Sequence, residues 1–335
     1  MIRVGTRGSA LALAQAGLVK IGLGEAEIVP MHTEGDRLAE ARLAVVGGKG
    51  LFVREIEEAL RRHEIDVAVH SLKDLPAEPP AGLVLAAFLP REDARDVLAS
   101  RTAATLDELP SGAVIGTSSP RRRALVLAAR PDLRVEPIRG NVDTRLRKLA
   151  GGGFDAVVLA AAGLRRLGLA PPHCTPLDPD VFVPAVGQGI IAVEARADDT
   201  ATLARLARLD HAPTRAEALA ERAYLAALGA SCTTPVAAHA RLDGATLRMT
   251  AIVVSEDGRR ILRSSAAAKA ADAESLGRGL AEALLDQGAA RITELHPRGA
   301  QQPEVERGVQ QPEVERSRQA SSAGHPRVEP GARGR

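Results

Sequence analysis

Aromatic residues are almost missing from this sequence: among 335 residues there is no Trp, one Tyr (Tyr224) and four Phe. Its cores must be filled with Ala, Val, Leu and Ile, and a nucleic-acid platform built on base stacking has almost no material. Cysteine is equally scarce. Cys174 and Cys232 are too few for a disulfide framework, and a chain of this length does not need one, so a reducing cytosol is the expected compartment. No charge of one sign dominates. The 44 basic and 42 acidic residues leave a formal charge of +2, so no overall field draws the chain onto nucleic acid or a membrane surface. Any electrostatic function has to be local. Long hydrophobic runs are lacking too: the longest mainly apolar stretch, Phe154 to Leu164, falls short of the roughly 18 to 20 residues of a bilayer span. The N-terminal Arg3, Arg7 and Ala10 to Ala16 mimic a signal peptide, but Gly5 and Gly8 interrupt it and the apolar segment is short, so secretion is not expected.

What is present is an alternation of short apolar runs with amphipathic stretches from residue 2 to about 195, the pattern of βαβ units and a mainly parallel sheet. Strands are expected at Ile2–Thr6, Glu27–Met31, Asp66–Ser71, Leu83–Phe88, Ala113–Ser118, Leu133–Ile138, Asp155–Ala160 and Ile190–Glu194. Ser9 reads as the cap of a helix reaching about Gly22, and Phe52, Ile56, Ala59, Leu60 and His63 mark one face of another. Ser119 followed by Pro120 is a cap with proline at the first helical position, and Asn141 is expected to cap the arginine-rich helix after it. Beyond about residue 208 the texture becomes α+β: a helix at Pro213–Leu228, strands at Val236–Ala240, Thr246–Val254 and Arg260–Ser264, and a helix at Ala271–Gln287. From Pro297 onward there is no Leu, Ile, Met or aromatic residue, and Gln-Gln-Pro-Glu-Val-Glu-Arg occurs at 301 and again at 310. Such a tail, 297–335, cannot offset its ordering entropy by burial and is expected to be disordered.

Five clusters could carry chemistry. Thr117-Ser118-Ser119-Pro120-Arg121-Arg122-Arg123 places hydroxyls, free backbone N–H groups and guanidinium groups where a strand runs into a helix, the make-up of a carboxylate or phosphate site. Arg139-Gly140-Asn141-Val142-Asp143-Thr144-Arg145 repeats that arrangement, and several cations aimed at one crevice predict a ligand with more than one anionic group. Taken alone, each cluster also fits a capped helix with solvated arginines. In His70-Ser71-Leu72-Lys73-Asp74 the loop after a strand offers a cation for ligand anions and a carboxylate for proton transfer, a pair that is also common on surfaces. Gly47-Gly48-Lys49-Gly50-Leu51-Phe52 lacks the spacing and the Ser/Thr of a phosphate-binding P-loop and reads as a mobile loop with one cation. Cys232, in Gly229-Ala230-Ser231-Cys232-Thr233-Thr234-Pro235, is either an accessible thiol or one of the inert cysteines that are more usual. No dinucleotide or nucleophile-elbow fingerprint occurs, and His32, His63, His70, His173, His211 and His239 form no metal-ligand spacing, so no metal is expected.

Read in order, these motifs resemble the porphobilinogen deaminase (hydroxymethylbilane synthase) family from about residue 2 to about 295. The resemblance is carried by Thr6-Arg7-Gly8-Ser9-Ala10-Leu11-Ala12 with Gln15, by Gly35-Asp36 and Gly47 to Phe52, and by Ala68 to Asp74. It continues through Gly116 to Ser119 with Arg121 and Arg122, Arg139 to Val142 with Thr144 and Arg145, and Ala162-Gly163-Leu164 with Arg166. Pro184 to Gly189 and Cys232 with Pro235 complete it. The chain departs from the pattern at Ala230-Ser231, where glycines are frequent, and at Pro120, where leucine is common.

The resemblance implies an α/β fold of two periplasmic-binding-protein-like doubly wound lobes plus a small α+β C-terminal domain. Its divisions would be 1–90 with 190–208, 91–189, 209–296, and the tail 297–335. It implies a transferase of tetrapyrrole (haem/porphyrin) biosynthesis that condenses four porphobilinogen molecules head to tail, with release of ammonia, and hydrolyses the product to hydroxymethylbilane. The primer would be a dipyrromethane cofactor on Cys232, and Asp74 the catalytic carboxylate. Lys73, Ser119, Arg121, Arg122 and Arg145 would hold cofactor carboxylates, and Arg7, Ser9, Gln15, Arg139 and Arg166 the substrate or growing chain. Lys49 would belong to a loop over the cleft and Gln188 to the hinge side. A cytoplasmic monomer without nucleic-acid, membrane or obligate protein partner is expected. The competing reading is a non-catalytic dicarboxylate-binding protein, which would need neither Asp74 nor Cys232.

Overall fold

The computed structural model describes residues 1–31, 53–231 and 233–295. The expectations for Lys49 and its glycine loop, for Cys232 and for the tail lie outside the described residues. Met1–Gly299 make one compact unit.

Helix α1 (Ala10–Leu23) follows strand β1 (Ile2–Arg7) because Ser9 stays extended and its Oγ accepts from the Ala12 amide at 3.3 Å. It buries Gln15, Ala16 and Val19. Strand β2 (Ala26–Met31) follows, then helix α2 (Arg54–Arg61), whose Ile56, Ala59 and Leu60 are fully buried, as their spacing predicts. His63 does not extend that face: the helix ends at Arg61, and His63 turns left-handed at φ 57 with its side chain exposed. Strands β3 (Val67–Ser71) and β4 (Leu83–Phe88) complete the first run.

The chain then lays down a second sheet from β5 (Asp96–Ser100), β6 (Val114–Gly116), β7 (Arg134–Glu136), β8 (Ala156–Ala160) and β9 (Cys174–Pro176), before β10 (Ile191–Arg196) rejoins the first. The strand orders are β2-β1-β3-β10-β4 and β7-β6-β8-β5-β9. The two sheets share one plan. Four strands run in one direction, and the strand in the fourth place, β10 or β5, runs antiparallel to both neighbours. In each sheet that antiparallel strand is the first one laid down after the chain crosses over. Strands β5 and β9 were not anticipated; the mainly parallel arrangement holds for four strands of each sheet, and the inserted antiparallel strand was not expected. The chain is thus α/β with two doubly wound lobes, each built on one five-stranded sheet. Their helices include α3 (Pro120–Ala129), α4 (Val142–Ala150) and α5 (Ala161–Arg166) in the second lobe, and α6 (Thr200–Leu206) beside β10 in the first.

A small α+β unit follows: α7 (Ala212–Leu228), the antiparallel meander β11 (Val236–Asp243), β12 (Thr246–Val254) and β13 (Ile261–Lys269), and α8 (Ala273–Asp286). Alternation along β12 explains its two-sided burial. Leu247, Met249, Ala251 and Val253 pack with Tyr224, Leu276 and Leu280 of the helices, while Ile252 and Val254 join the core of the second lobe with Ile115, Leu125 and Val158. Tyr224, the single tyrosine, is fully buried and donates its hydroxyl to the Ile252 carbonyl at 2.9 Å. Arg263 also donates to the Asp180 carbonyl across to the second lobe.

Two buried charges fix this unit to the crossovers. Arg91, in the first crossing, donates to Glu221 of α7 at 2.7 Å and to the Gln188 carbonyl of the return crossing at 3.0 Å. The Glu221 carboxylate also accepts from the backbone amides of Gly187 (2.6 Å) and Ala240 (2.7 Å).

Candidate active site

The end of β3 is held so that two side chains emerge from it in a fixed way. Leu72 is buried, its amide donates to the Ile190 carbonyl at 3.0 Å, and a Cβ on Gly187 would overlap the Leu72 side chain. Gly187 and Gly189, at φ 71 and 89, bend the return crossing tightly around Gln188 in backbone conformations that other residues rarely adopt. Lys73 and Asp74 follow in a short 3-10 turn, Lys73 half-buried and Asp74 exposed. Gln15, buried in α1, donates to Ser71 Oγ at 2.8 Å and ties that helix to the same strand end.

The second lobe supplies the other wall. Ser119 caps α3 by accepting from the Arg122 amide at 3.4 Å, with Pro120 first in the helix. Arg121 and Arg122 are not solvated: both are buried and both bind Asp96, the first residue of β5. Arg121 Nη1 donates to Oδ2 at 2.7 Å, and Arg122 Nε and Nη2 donate to Oδ1 at 3.0 and 2.8 Å. The anion expected between these cations is therefore, in part, a carboxylate of the chain itself. Burial pushes the Asp96 carboxyl up, but the two guanidinium groups outweigh it and hold it well below the usual carboxylate range.

Gln188 joins the walls. Its Oε1 accepts from Lys73 Nζ at 3.3 Å and Arg122 Nη2 at 3.4 Å, and its Nε2 donates to the Ala94 carbonyl at 2.8 Å and Asp96 Oδ1 at 2.9 Å. Burial, reinforced by Arg122, lowers the Lys73 ammonium to about 8 against the opposing pull of Asp74 and Asp96. Burial and Arg122 likewise lower Arg145, half-buried in α4 with Nε on the Gly140 carbonyl at 2.8 Å, and Asp74 opposes the shift.

Other expected residues lie around this centre. Arg7 and Ser9 stand where β1 passes into α1, both half-buried. Arg166 is half-buried on α5 and donates to the Gly189 carbonyl at 2.6 Å. Arg139 is exposed before Gly140. Asn141 occupies the cap position of α4 with extended backbone, but its side chain makes no capping hydrogen bond, which corrects that expectation. His70 is packed rather than offered: it is buried with Nε2 3.3 Å from Glu194 Oε2, next to β10.

Chemically, Lys73, Arg121, Arg122 and Arg145 gather around two carboxylates, Asp74 and Asp96, so the cleft has spare positive charge for anions. One donor has been left for such a ligand. Arg121 Nε is buried and has no partner among the described residues, a costly state unless an acceptor arrives. A ligand bearing several carboxylates fits this arrangement. Asp96 and the bonding role of Gln188 were not foreseen. A carboxylate opening a five-residue strand gives no periodic signal, and Gln188 was marked only by the family resemblance, as a residue of the hinge side.

Comparison with known proteins follows the same course. The family model "Porphobilinogen deaminase, dipyromethane cofactor binding domain" matches residues 2–204, and "Porphobilinogen deaminase, C-terminal domain" matches residues 215–286. The porphobilinogen deaminase of Acidithiobacillus ferrooxidans is 50% identical over 299 residues, covering 88% of this chain and 97% of that protein. That of Brevibacillus brevis is 48% identical over 297 residues, covering 87% and 96%. Among solved structures, an ABC-transporter periplasmic substrate-binding protein from Coxiella burnetii aligns over 62% of this chain and 92% of its own at 16% identity and a TM-score of 0.38.

Proposed function

The chain belongs to the porphobilinogen deaminase family, and from that premise we propose that Asp74 is its catalytic carboxylate and that the cation cluster around it is its carboxylate-binding site. Family members are transferases of tetrapyrrole biosynthesis. They join four porphobilinogen molecules head to tail, each junction forming one carbon–carbon bond and releasing one ammonia, and water then frees hydroxymethylbilane. A bound dipyrromethane supplies the pyrrole α-carbon at which the first unit is joined; in this chain the attachment point is Cys232.

The protein's own part is to bind, orient and balance charge. Each porphobilinogen brings an acetate and a propionate, which suits a cleft rich in Arg and Lys. Lys73, Ser119, Arg121, Arg122 and Arg145 hold cofactor carboxylates, with Arg121 Nε offering its unused N–H. Arg7, Ser9, Gln15, Arg139 and Arg166 hold the incoming substrate or growing chain, and Lys49 serves a loop over the cleft. Asp74 accepts pyrrole N–H groups, stabilises positive charge as the aminomethyl group departs as ammonia, and takes part in proton transfer. The division of labour is by domain: 1–90 with 190–208 and 91–189 enclose the cleft, and 209–296 presents the thiol. The protein works as a cytoplasmic monomer without nucleic-acid, membrane or obligate protein partner.

The observation that carries this reading is geometric: Gln188 joins Lys73 to Arg122 and Asp96 across the two walls, and Asp74 follows Lys73 in the same short turn at that cation cluster. A non-catalytic dicarboxylate binder is not favoured, since it has no use for that carboxylate. The test is Asp74→Asn. Turnover should fall at least about 100-fold, the usual loss for a positioned acid–base group, while intact mass shows the cofactor retained. Turnover within a few-fold of the parent protein would overturn the assignment.

A further inference from the structure

We propose that Asp96 is a positioning residue for the carboxylate site: it sets Arg121 and Arg122 in one arrangement before any ligand arrives and, through Gln188, ties them to Lys73. The inference rests on the reading of that cluster as the cofactor site and adds to it a residue that touches no ligand.

The backbone of Asp96 is fixed first. It opens β5 immediately after the crossing into the second lobe, pairs with Ala160 in β8, and its carbonyl accepts from the Leu177 amide at 2.8 Å. Its side chain has no exposure to solvent. Two oxygens meet four donors from three side chains: Oδ2 takes Arg121 Nη1, and Oδ1 takes Arg122 Nε, Arg122 Nη2 and Gln188 Nε2. Further acceptors complete the set, the Val183 carbonyl for Arg121 Nη1 at 2.8 Å and the Val158 carbonyl for Arg122 Nη1 at 3.0 Å. With Arg122 Nε and Nη2 on one oxygen, that guanidinium can neither rotate nor withdraw without losing charged hydrogen bonds.

Charge explains why the carboxylate is required. Two adjacent buried guanidinium groups repel one another and pay desolvation twice, so without a counter-charge they would separate toward solvent when the site is empty. Asp96 neutralises one of the two, so the pair remains in place yet still attracts an anion. The same carboxylate receives Gln188 Nε2, which turns Gln188 Oε1 toward Lys73 and Arg122. The ordering cost of the site is thereby met during folding rather than on binding. Gln188 lies on the return crossing and its Nε2 also bonds the Ala94 carbonyl of the first crossing, two residues before Asp96, so the site's geometry and the lobe connection are set by one network.

The experiment uses full-length protein isolated without cofactor and then supplied with porphobilinogen, with loading at Cys232 followed by intact mass and folding by far-UV circular dichroism. Asp96→Asn keeps the shape and removes the charge; Asp96→Glu keeps the charge. Loading by Asp96→Asn should slow about 10- to 100-fold, the range for groups that orient ligating side chains, while Asp96→Glu recovers part of the rate. Unchanged loading of folded Asp96→Asn overturns the proposal, and so does equal impairment of both variants, which would mark a purely structural role. If Asp96→Asn does not fold, Gln188→Met decides: it leaves the ion pairs intact and should slow loading several-fold, and unchanged loading counts against the proposal. Failure of the parent protein to load would sink the cofactor-site reading itself, a different result from parent and variant loading alike.

Discussion

Replacing Glu221 with Gln tests how the cysteine-bearing unit is held to the lobes. The Glu221 carboxylate is fully buried on α7 and accepts four bonds: Arg91 Nη1 (2.7 Å) and the Ala240 amide (2.7 Å) on one oxygen, Arg91 Nη2 (3.4 Å) and the Gly187 amide (2.6 Å) on the other. All four partners are donors, so the amide of Gln must turn its own NH2 against two of them, and it no longer balances Arg91. Glu217, 3.4 Å from Arg91 Nη1, offsets only part of that loss. Breaking one partner of a buried ion pair costs about 3–5 kcal/mol. At about 2–4 °C per kcal/mol for a protein of this size class, the melting temperature should fall by on the order of 10 °C. Far-UV circular dichroism is the assay, because there is no Trp to report unfolding. Paired with Arg91→Met in a double-mutant cycle, the coupling should exceed about 1.5 kcal/mol. A drop below about 2 °C, or additive single effects, would refute the idea that this joint holds the unit in place.

Burial, with Arg91 and Arg241 nearby, lowers His239 to about 3, so the folded protein stays unprotonated there while the unfolded chain takes up a proton near its ordinary value of about 6.5. The stability tied to His239 is present in full above the unfolded value and is lost as pH falls from about 6.5 to about 3, a one-proton dependence that His239→Gln should remove from melting curves. Lys73, at about 8 in cofactor-free protein, should titrate near that pH when followed by NMR of 13C-dimethylated lysines, and its midpoint should rise on loading because ligand carboxylates favour the charged form. Gly258 sits at φ 73 against the Ala124 carbonyl of α3, so Gly258→Val should cost about 2–4 kcal/mol by strain and overlap, read as a lower melting temperature.

The sequence was most legible where local rules act alone. Ser9 and Ser119 cap the helices expected of them, and Thr246–Val254 is a strand with the limits its alternation implies. The aromatic poverty, too, is answered by cores of Ala, Val, Leu and Ile. Legibility failed where partners come from distant segments. Asp96 gains its role from residues 25, 26 and 92 positions away, and Glu221, in a helix whose Ala/Glu/Arg composition resembles a solvated face, is buried because Arg91 meets it from 130 positions away. The antiparallel direction of β5 and β10 was hidden for the same reason, since strand direction after a crossover is decided by where the chain returns. Arg121 and Arg122 were recognised as a pair, but their counter-charge could not be read from the motif that contains them.

The most direct measurement is the intact mass of the purified full-length protein, followed by mass analysis of the peptide containing Cys232. For a deaminase of this family, protein made in a host that supplies porphobilinogen should carry an added mass equal to two linked pyrrole units, located on Cys232. An unmodified Cys232 in protein from such a host would contradict the assignment at its root.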